Sequence, residues 1–100
     1  MKKPYYAVIF TSIRTEVEND YDVTSYKMEE LAKQQPGFLG MDSARNEVGI
    51  TISYWDSVDD VKNWKQNLDH QIAQKNGKER WYSSYHVRIC KVEREYSFNK

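Results

Sequence analysis

The order of structural elements in this chain is decided by residues 35–65, which read QPGFLGMDSARNEVGITISYWDSVDDVKNWK. Pro36 and Gly37 predict the end of a helix, because a proline disfavours the α region at the residue before it. The segments 38–45 and 48–55 then predict two strands, and the short charged turn between them is typical of a hairpin. This part of the chain therefore predicts a helix end followed by two antiparallel strands.

A second helix is predicted to start after Ser57. Ser57 and Asp60 have the spacing of a capping box, in which a serine precedes an acidic residue by three positions. Apolar residues then recur at helical spacing until Gly77, and they are Val58, Val61, Trp64, Leu68 and Ile72.

The flanking segments complete the pattern. Residues 5–13 are rich in β-branched and aromatic residues on both parities, so they predict a strand that is buried on both faces. A first helix is predicted from Asp20 or Asp22 onwards, with one apolar stripe made of Thr24, Met28, Leu31 and Ala32. Residues 82–95 predict a long last strand, which we expect the tail 96–98 to extend.

The predicted order is β-α-β-β-α-β, which is the ferredoxin-like pattern with a four-stranded antiparallel sheet. Right-handed crossovers place both helices on one face of such a sheet and leave the other face bare. Because the strands carry apolar residues on both parities, the bare face would expose more apolar surface than monomers usually do. The sequence therefore predicts one α+β domain over residues 1–100 that forms a homodimer, sheet against sheet.

The composition argues against several classes of function. Fifteen basic and fifteen acidic residues cancel, so the positive field typical of nucleic-acid binders is absent. No apolar run is long enough to span a bilayer, so we expect no membrane partner. With Cys90 as the single cysteine and no apolar segment after Met1-Lys2-Lys3, we expect a cytoplasmic protein without disulfides.

The sequence offers little for a metal or a cofactor. The soft ligands are His70, His86 and Cys90, and the last two would lie about 13 Å apart along one strand. Neither a glycine-rich dinucleotide motif nor a phosphate-binding loop is present. Cys90 has no evident base beside it and is interpreted as a small apolar residue. We therefore predict no bound metal and no cofactor.

The three tryptophans stand at the ends of predicted elements, a placement that suggests the wall of a pocket. The segment Tyr54-Trp55-Asp56-Ser57 ends a strand, and Trp64 follows on the next helix. This layout resembles the antibiotic biosynthesis monooxygenase domain family, whose members are small homodimeric α+β barrels. The family includes oxygenases of aromatic polyketides, heme-degrading enzymes and members of unknown activity.

The resemblance argues against the heme-degrading branch. In that branch the helix tryptophan works with a histidine further along the helix and an asparagine on the first strand. The histidine position corresponds to Gln74 here, and strand 5–13 contains no asparagine. Two of the three residues are therefore missing.

The cofactor-free branch remains, and there the resemblance implies oxygenation of a small aromatic or quinone-type compound by molecular oxygen. Trp64 would act at the catalytic centre, with Phe38 and Trp81 beside it as walls of the slot. His70 would serve as the general base, and the hydrogen-bond donors would be Ser53, Tyr54 and Tyr82. The alternative is a non-catalytic small-molecule-binding or stress-response protein on the same scaffold.

The role of His70 depends on the shape of the second helix. On an unbroken α-helix, His70 would point about 180° away from the apolar stripe that contains Trp64. A base facing the pocket therefore requires a break, which we expect at Asn67-Leu68-Asp69 because asparagine and aspartate compete with helical hydrogen bonds.

Overall fold

The computed structural model of the protein describes residues 4–16, 21–74 and 81–100. It confirms the predicted β-α-β-β-α-β order. The elements are β1 (Tyr5–Arg14), α1 (Tyr21–Lys33), β2 (Phe38–Arg45), β3 (Gly49–Trp55), α2 (Val58–Gln74) and β4 (Tyr82–Val92). Two predicted boundaries, the capping residue Asp20 of the first helix and Gly77 at the end of the second, lie outside the described residues.

The four strands form one antiparallel sheet in the order β2-β3-β1-β4. Val8 pairs with Ser53 on one side and with Ile89 on the other, which fixes the register of β3, β1 and β4. Successive side chains of a strand point to opposite faces, and both Ala7 and Val8 are buried. The first strand is therefore buried on both faces at this point, as its sequence predicts.

The hydrophobic core lies between the sheet and the two helices. Trp55 is fully buried and stacks on Trp64 of α2, with ring centroids 5.6 Å apart. The helical spacing predicted for α2 accounts for its buried face, because Val61, Trp64 and Leu68 all belong to the core. Ala32 of α1 is also fully buried there.

Both helix boundaries next to the hairpin follow from the local sequence. The amide of Phe38 donates to the Gln35 carbonyl at 3.3 Å, which closes a four-residue turn. Its central residues are Pro36 and Gly37, and Gly37 has a φ of 82°, the arrangement of a type II turn. Proline fixes the φ angle that the first central position needs, and glycine adopts the left-handed conformation of the second position without a steric clash.

The start of α2 is capped as predicted. The Asp60 amide donates to the Ser57 Oγ at 3.1 Å, and that hydroxyl donates to the Asp60 carboxylate at 2.8 Å. The adjacent Asp56 amide donates to the Gly37 carbonyl at 2.8 Å. The turn after α1 and the cap of α2 therefore form one connected unit.

The prediction of the last strand is wrong at its end. β4 stops at Val92, and residues 93–100 form no strand in the structure. Val92 pairs with Tyr5, the first residue of β1. Because β1 begins at Tyr5, that strand offers the tail no further paired residue, and Tyr96 and Phe98 are 83% and 85% exposed.

Among the described helices, none is both long enough and apolar enough to cross a membrane.

Candidate functional site

A cavity of about 110 Å³ lies between the helix-facing side of the sheet and the two helices. The strands contribute alternate residues, and one face of each helix closes it. Its lining residues are Val8, Phe10, Ser25, Met28, Glu29, Met41, Ser43, Arg45, Thr51, Ser53, Trp64, Leu68, Trp81 and Tyr82.

One wall of the cavity is aromatic. Trp64 and Trp81 are only 4% and 2% exposed, so their rings are held by the surrounding packing. Phe10 of β1 meets Tyr82 edge-on, with ring centroids 5.5 Å apart, and stacks on Tyr85 at 5.2 Å. Such a wall can hold a flat aromatic ligand through stacked and edge-on contacts.

Trp81 is fixed through its backbone as well. Its carbonyl accepts from the Thr15 amide at 2.8 Å and from Nε of Arg14 at 3.3 Å. These bonds join the residue before β4 to the end of β1, where the register of the two strands shifts. The end of the sheet thus places the Trp81 ring over the cavity.

A polar wall is formed on the sheet, next to Phe10, by the hydroxyl-bearing residues Ser43, Thr51 and Ser53. Ser53 is 3% exposed, and its Oγ accepts from Nε1 of Trp55 at 2.8 Å. Because that oxygen serves as an acceptor for Trp55, its own O–H is the group that can donate to a ligand.

Charged groups occur at two places around the cavity. Arg45, the last residue of β2, donates from Nη2 to the Oγ of the buried Ser12. Glu29 of α1 forms an ion pair with Lys33 on the same helix, 3.7 Å from its carboxylate. The site therefore combines aromatic surface, hydroxyl groups, one guanidinium and one carboxylate.

The structure brings together four of the residues singled out from the sequence. Ser53, Trp64, Trp81 and Tyr82 all line the cavity. They come from β3, α2 and the start of β4, which the fold places around one space although they are far apart in sequence.

Two expected pocket residues lie elsewhere. Phe38 packs edge-on against Trp55, with ring centroids 5.5 Å apart, and does not line the cavity. Tyr54 points to the other face of the sheet, because strand alternation sends residues 53 and 55 to the helices and residue 54 away from them. Neither residue therefore lines this cavity.

Tyr54 has a separate environment on that other face. Its hydroxyl donates to the Asp42 carboxylate at 3.0 Å, and its ring meets Tyr5 edge-on at 6.0 Å. Burial raises the pKa of Tyr54 above its usual value, and the hydrogen bond to Asp42 raises it further. Tyr54 thus stays protonated at neutral pH as part of the sheet surface.

The helix break required for a pocket-facing His70 is not present. α2 runs as one helix from Val58 to Gln74. The side chain of Asn67 does not interrupt this helix; its Nδ2 donates to the carbonyl of Asn63, one turn earlier, at 3.1 Å. The side chain of His70 lies outside the described residues. Its assignment as a base stays a prediction, without the structural feature on which that prediction depended.

Sequence reasoning missed Arg45 and Ser12. The signal was available in the hairpin, because alternation along β2 places Met41, Ser43 and Arg45 on one face. In the register of β2 and β3 these residues pair with Ser53, Thr51 and Gly49, so a correct register alone would have placed Arg45 beside the predicted pocket.

No group of three or more possible metal ligands occurs within the described ranges. His86 and Cys90 are exposed on β4 and pair with Thr11 and Ala7, respectively. They therefore belong to the sheet face opposite the cavity.

A sequence comparison identifies a relative of nearly the same length. The chain is 46% identical over 99 residues to the uncharacterized protein YqjZ of Bacillus subtilis (strain 168), covering 97% of this chain and 87% of that protein. No protein-family model matches the sequence.

Solved structures share the fold at low sequence identity. A variant of SnoaB, a cofactor-independent oxygenase from Streptomyces nogalater, aligns with a TM-score of 0.70 and 9% identity over 94% of this chain and 97% of that one. A Nitrosomonas europaea protein provisionally described as an antibiotic biosynthesis monooxygenase aligns with a TM-score of 0.67 and 13% sequence identity over 90% of each chain.

A dimeric ferredoxin-like protein from an uncultured marine organism gives a TM-score of 0.69 and 11% identity over 97% of this chain and 95% of that one. These likenesses confirm the predicted fold. The chain belongs to the same family as YqjZ of Bacillus subtilis, and it shares its ferredoxin-like fold with a protein provisionally described as an antibiotic biosynthesis monooxygenase and with a cofactor-independent oxygenase.

Proposed function

We propose that this protein is a monooxygenase-like enzyme that oxidises a small aromatic or quinone-type compound with molecular oxygen, without metal or flavin. The observation that carries the proposal is the cavity, which is lined both by Trp64 and Trp81 and by hydroxyl-bearing residues. The shared fold with a cofactor-independent oxygenase supports it.

The size of the cavity limits the ligand. An apolar cavity of about 150 Å³ in another protein binds one benzene molecule, and the cavity here measures about 110 Å³. The cavity therefore has room for one aromatic ring at most, and larger substrates would extend through the opening.

The chemistry needs only the substrate and oxygen. A base removes a proton from the bound phenol or activated carbon, and the resulting anion transfers one electron to O₂. The radical pair combines to form one C–O bond, and the peroxide takes up a proton. Loss of water from the hydroperoxide breaks the O–O bond and leaves a carbonyl, so one substrate and one O₂ give one oxidised product and one water. The substrate supplies all four electrons that reduce O₂ to the carbonyl oxygen and the water.

The described residues can fill the supporting roles. Trp64 and Trp81 would hold the ring and exclude water, and the hydroxyls of Ser53 and Tyr82 would donate to the developing oxyanion. We propose Glu29 for the base, because it lines the cavity, while His70 remains the residue expected from the sequence and would need a break that α2 does not have. Comparing His70→Ala with Glu29→Gln separates these assignments.

Oxygen uptake tests the proposal. With metal chelated, we expect the protein to accelerate uptake with at least one member of a panel of quinols, anthrones and flavonols, at one O₂ per substrate. Added catalase should return no oxygen, because the second oxygen atom leaves as water. Trp64→Leu should lower the rate at least about tenfold, while Lys62→Gln, an exposed change on the same helix, should not.

The alternative is a non-catalytic small-molecule-binding or stress-response protein. The continuous α2 favours it, because an enzymatic His70 needs a break that the helix lacks. Absence of accelerated uptake with every compound of the panel, together with ligand binding in the cavity, would establish this alternative and contradict the enzyme proposal.

We also propose that the protein is a homodimer that buries the sheet face away from the helices, which we call the open face. Among its apolar residues, Ile13 and Ile50 are 45% and 42% exposed. In the sheet register they share this face with Tyr5, Ala7, Ile9, Ile52, Tyr54, Cys90 and Val92. A second copy would cover this apolar surface, and one structural neighbour is described as dimeric.

Sedimentation should give about twice the chain mass of 11.9 kDa. Ile9→Lys should place an uncompensated charge in the interface at a cost of about 3 kcal/mol, which corresponds to about a hundredfold weaker association. Gln66→Lys, at an exposed position of α2, serves as the control. A wild-type monomer at micromolar concentration would contradict the sheet-to-sheet dimer.

A further inference from the structure

We propose that the cavity selects aromatic ligands that carry an anionic group, such as an aryl carboxylate or a phenolate, and that Arg45 binds this group. This inference rests on the proposed function in one respect: it takes the aromatic cavity as the ligand site. It goes further in naming the charge of the ligand and the residue that recognises it.

The placement of Arg45 is specific to this fold. Arg45 ends β2 and pairs with Gly49 of β3, yet its guanidinium donates to Ser12 on β1, the strand beyond. The side chain can lie across β3 because Gly49 has no Cβ, and a Cβ there would overlap the guanidinium itself. Glycine at position 49 thus allows the Arg45 guanidinium to lie flat against the sheet, where Arg45 lines the cavity.

Among the described residues, no carboxylate neutralises the charge of Arg45. Within the described part of the chain its partner is the neutral Ser12 hydroxyl, and no carboxylate there forms an ion pair with it. Glu29, the carboxylate that also lines the cavity, is paired with Lys33 on α1. A guanidinium has five N–H donors, so most of those of Arg45 remain for a ligand.

The other groups around the cavity suit such a ligand. Ser43 and Thr51 continue the polar wall next to Arg45, and the aromatic wall of the same cavity contains Trp64 and Trp81. The planar fork of a guanidinium matches the two oxygens of a carboxylate. A ring between the tryptophans, with its anionic group directed to the end of β2, would use both walls at once.

Matched probes test the charge preference. Benzoate and benzamide have the same ring and nearly the same size, and they differ in charge. Binding is followed by NMR of the three tryptophan indole N–H signals, which also reports whether Trp64 and Trp81 are affected. We expect the wild-type protein to bind benzoate about tenfold more tightly than benzamide, and added salt to weaken benzoate alone.

The variants assign the preference to one residue. Arg45→Gln should remove it while leaving benzamide binding within about twofold, and Arg45→Lys should keep part of it because the charge remains. Gly49→Ala should reduce it without removing any charge, because its Cβ displaces the guanidinium. Arg88→Gln removes an arginine that pairs with Ile9 on the open face, and it should have no effect.

The outcomes separate this inference from the proposed function. Equal binding of both probes would overturn the charge selection and leave the aromatic site standing. Binding of neither probe would overturn both proposals. A benzoate preference that survives in Arg45→Gln and in Gly49→Ala, each shown to be folded by circular dichroism, would overturn the role of Arg45.

Discussion

Replacing Trp55 by alanine is expected to lower the free energy of unfolding by about 3–5 kcal/mol, the range for removing a buried aromatic side chain. Trp55 is 0% exposed and lies between Trp64 and Phe38, with ring centroids 5.6 and 5.5 Å away. Its loss would leave a cavity between two other aromatic rings and would remove the donor to Ser53. Urea unfolding followed by circular dichroism measures the effect without relying on tryptophan fluorescence.

Two further variants test whether the expected loss of stability comes from the buried packing of Trp55. Trp55→Phe keeps an aromatic ring but loses the indole N–H, so we expect a smaller loss of about 1–2 kcal/mol. Tyr26→Ala, at a position of α1 that is 65% exposed, should change stability by less than about 0.5 kcal/mol. All variants are compared at one protein concentration, because dimerisation would shift the apparent stability. A Trp55→Ala loss below that of Trp55→Phe would contradict the packing described.

The element order could be predicted because its signals are local. The Pro36-Gly37 turn and the Ser57 cap each depend on neighbouring residues, and both occur as expected. The tail beyond Val92 was predicted wrongly because a strand needs a partner, and the number of residues available on β1 is not visible in the tail itself.

The candidate site was only partly predictable for the same reason. Trp64 and Trp81 signal a pocket by residue type alone, since large aromatics at element ends suggest a wall. Tyr54 and Phe38 have the same residue-type signal but lie elsewhere, because strand parity and the position of Trp55 decide which rings reach the cavity. Arg45 became visible only with the β2–β3 register, which brings it opposite a glycine.

The turn between α1 and β2 leads to the second large effect. Gly37→Ala is expected to lower the free energy of unfolding by about 2–3 kcal/mol. A φ of 82° in the left-handed region costs a residue with a Cβ about 1–2 kcal/mol. The new Cβ would also overlap the carboxylate of Asp60, and displacing that group breaks its hydrogen bond with Ser57, which adds about 1 kcal/mol.

A matched glycine and a double mutant distinguish these causes. Gly40→Ala, three residues later, would place its Cβ 3.8 Å from the Tyr54 ring, an ordinary contact, so its loss should stay below about 1 kcal/mol. Asp60→Ala alone removes the carboxylate that Gly37 accommodates and weakens the cap. If the overlap is real, Gly37→Ala combined with Asp60→Ala should cost less than the sum of the two single losses, because the double variant lacks the carboxylate and keeps only the milder 2.8 Å contact with the Cβ of residue 60. Additive losses would mean that the backbone conformation of Gly37 alone accounts for its effect, and equal losses for Gly37→Ala and Gly40→Ala would contradict the turn geometry itself.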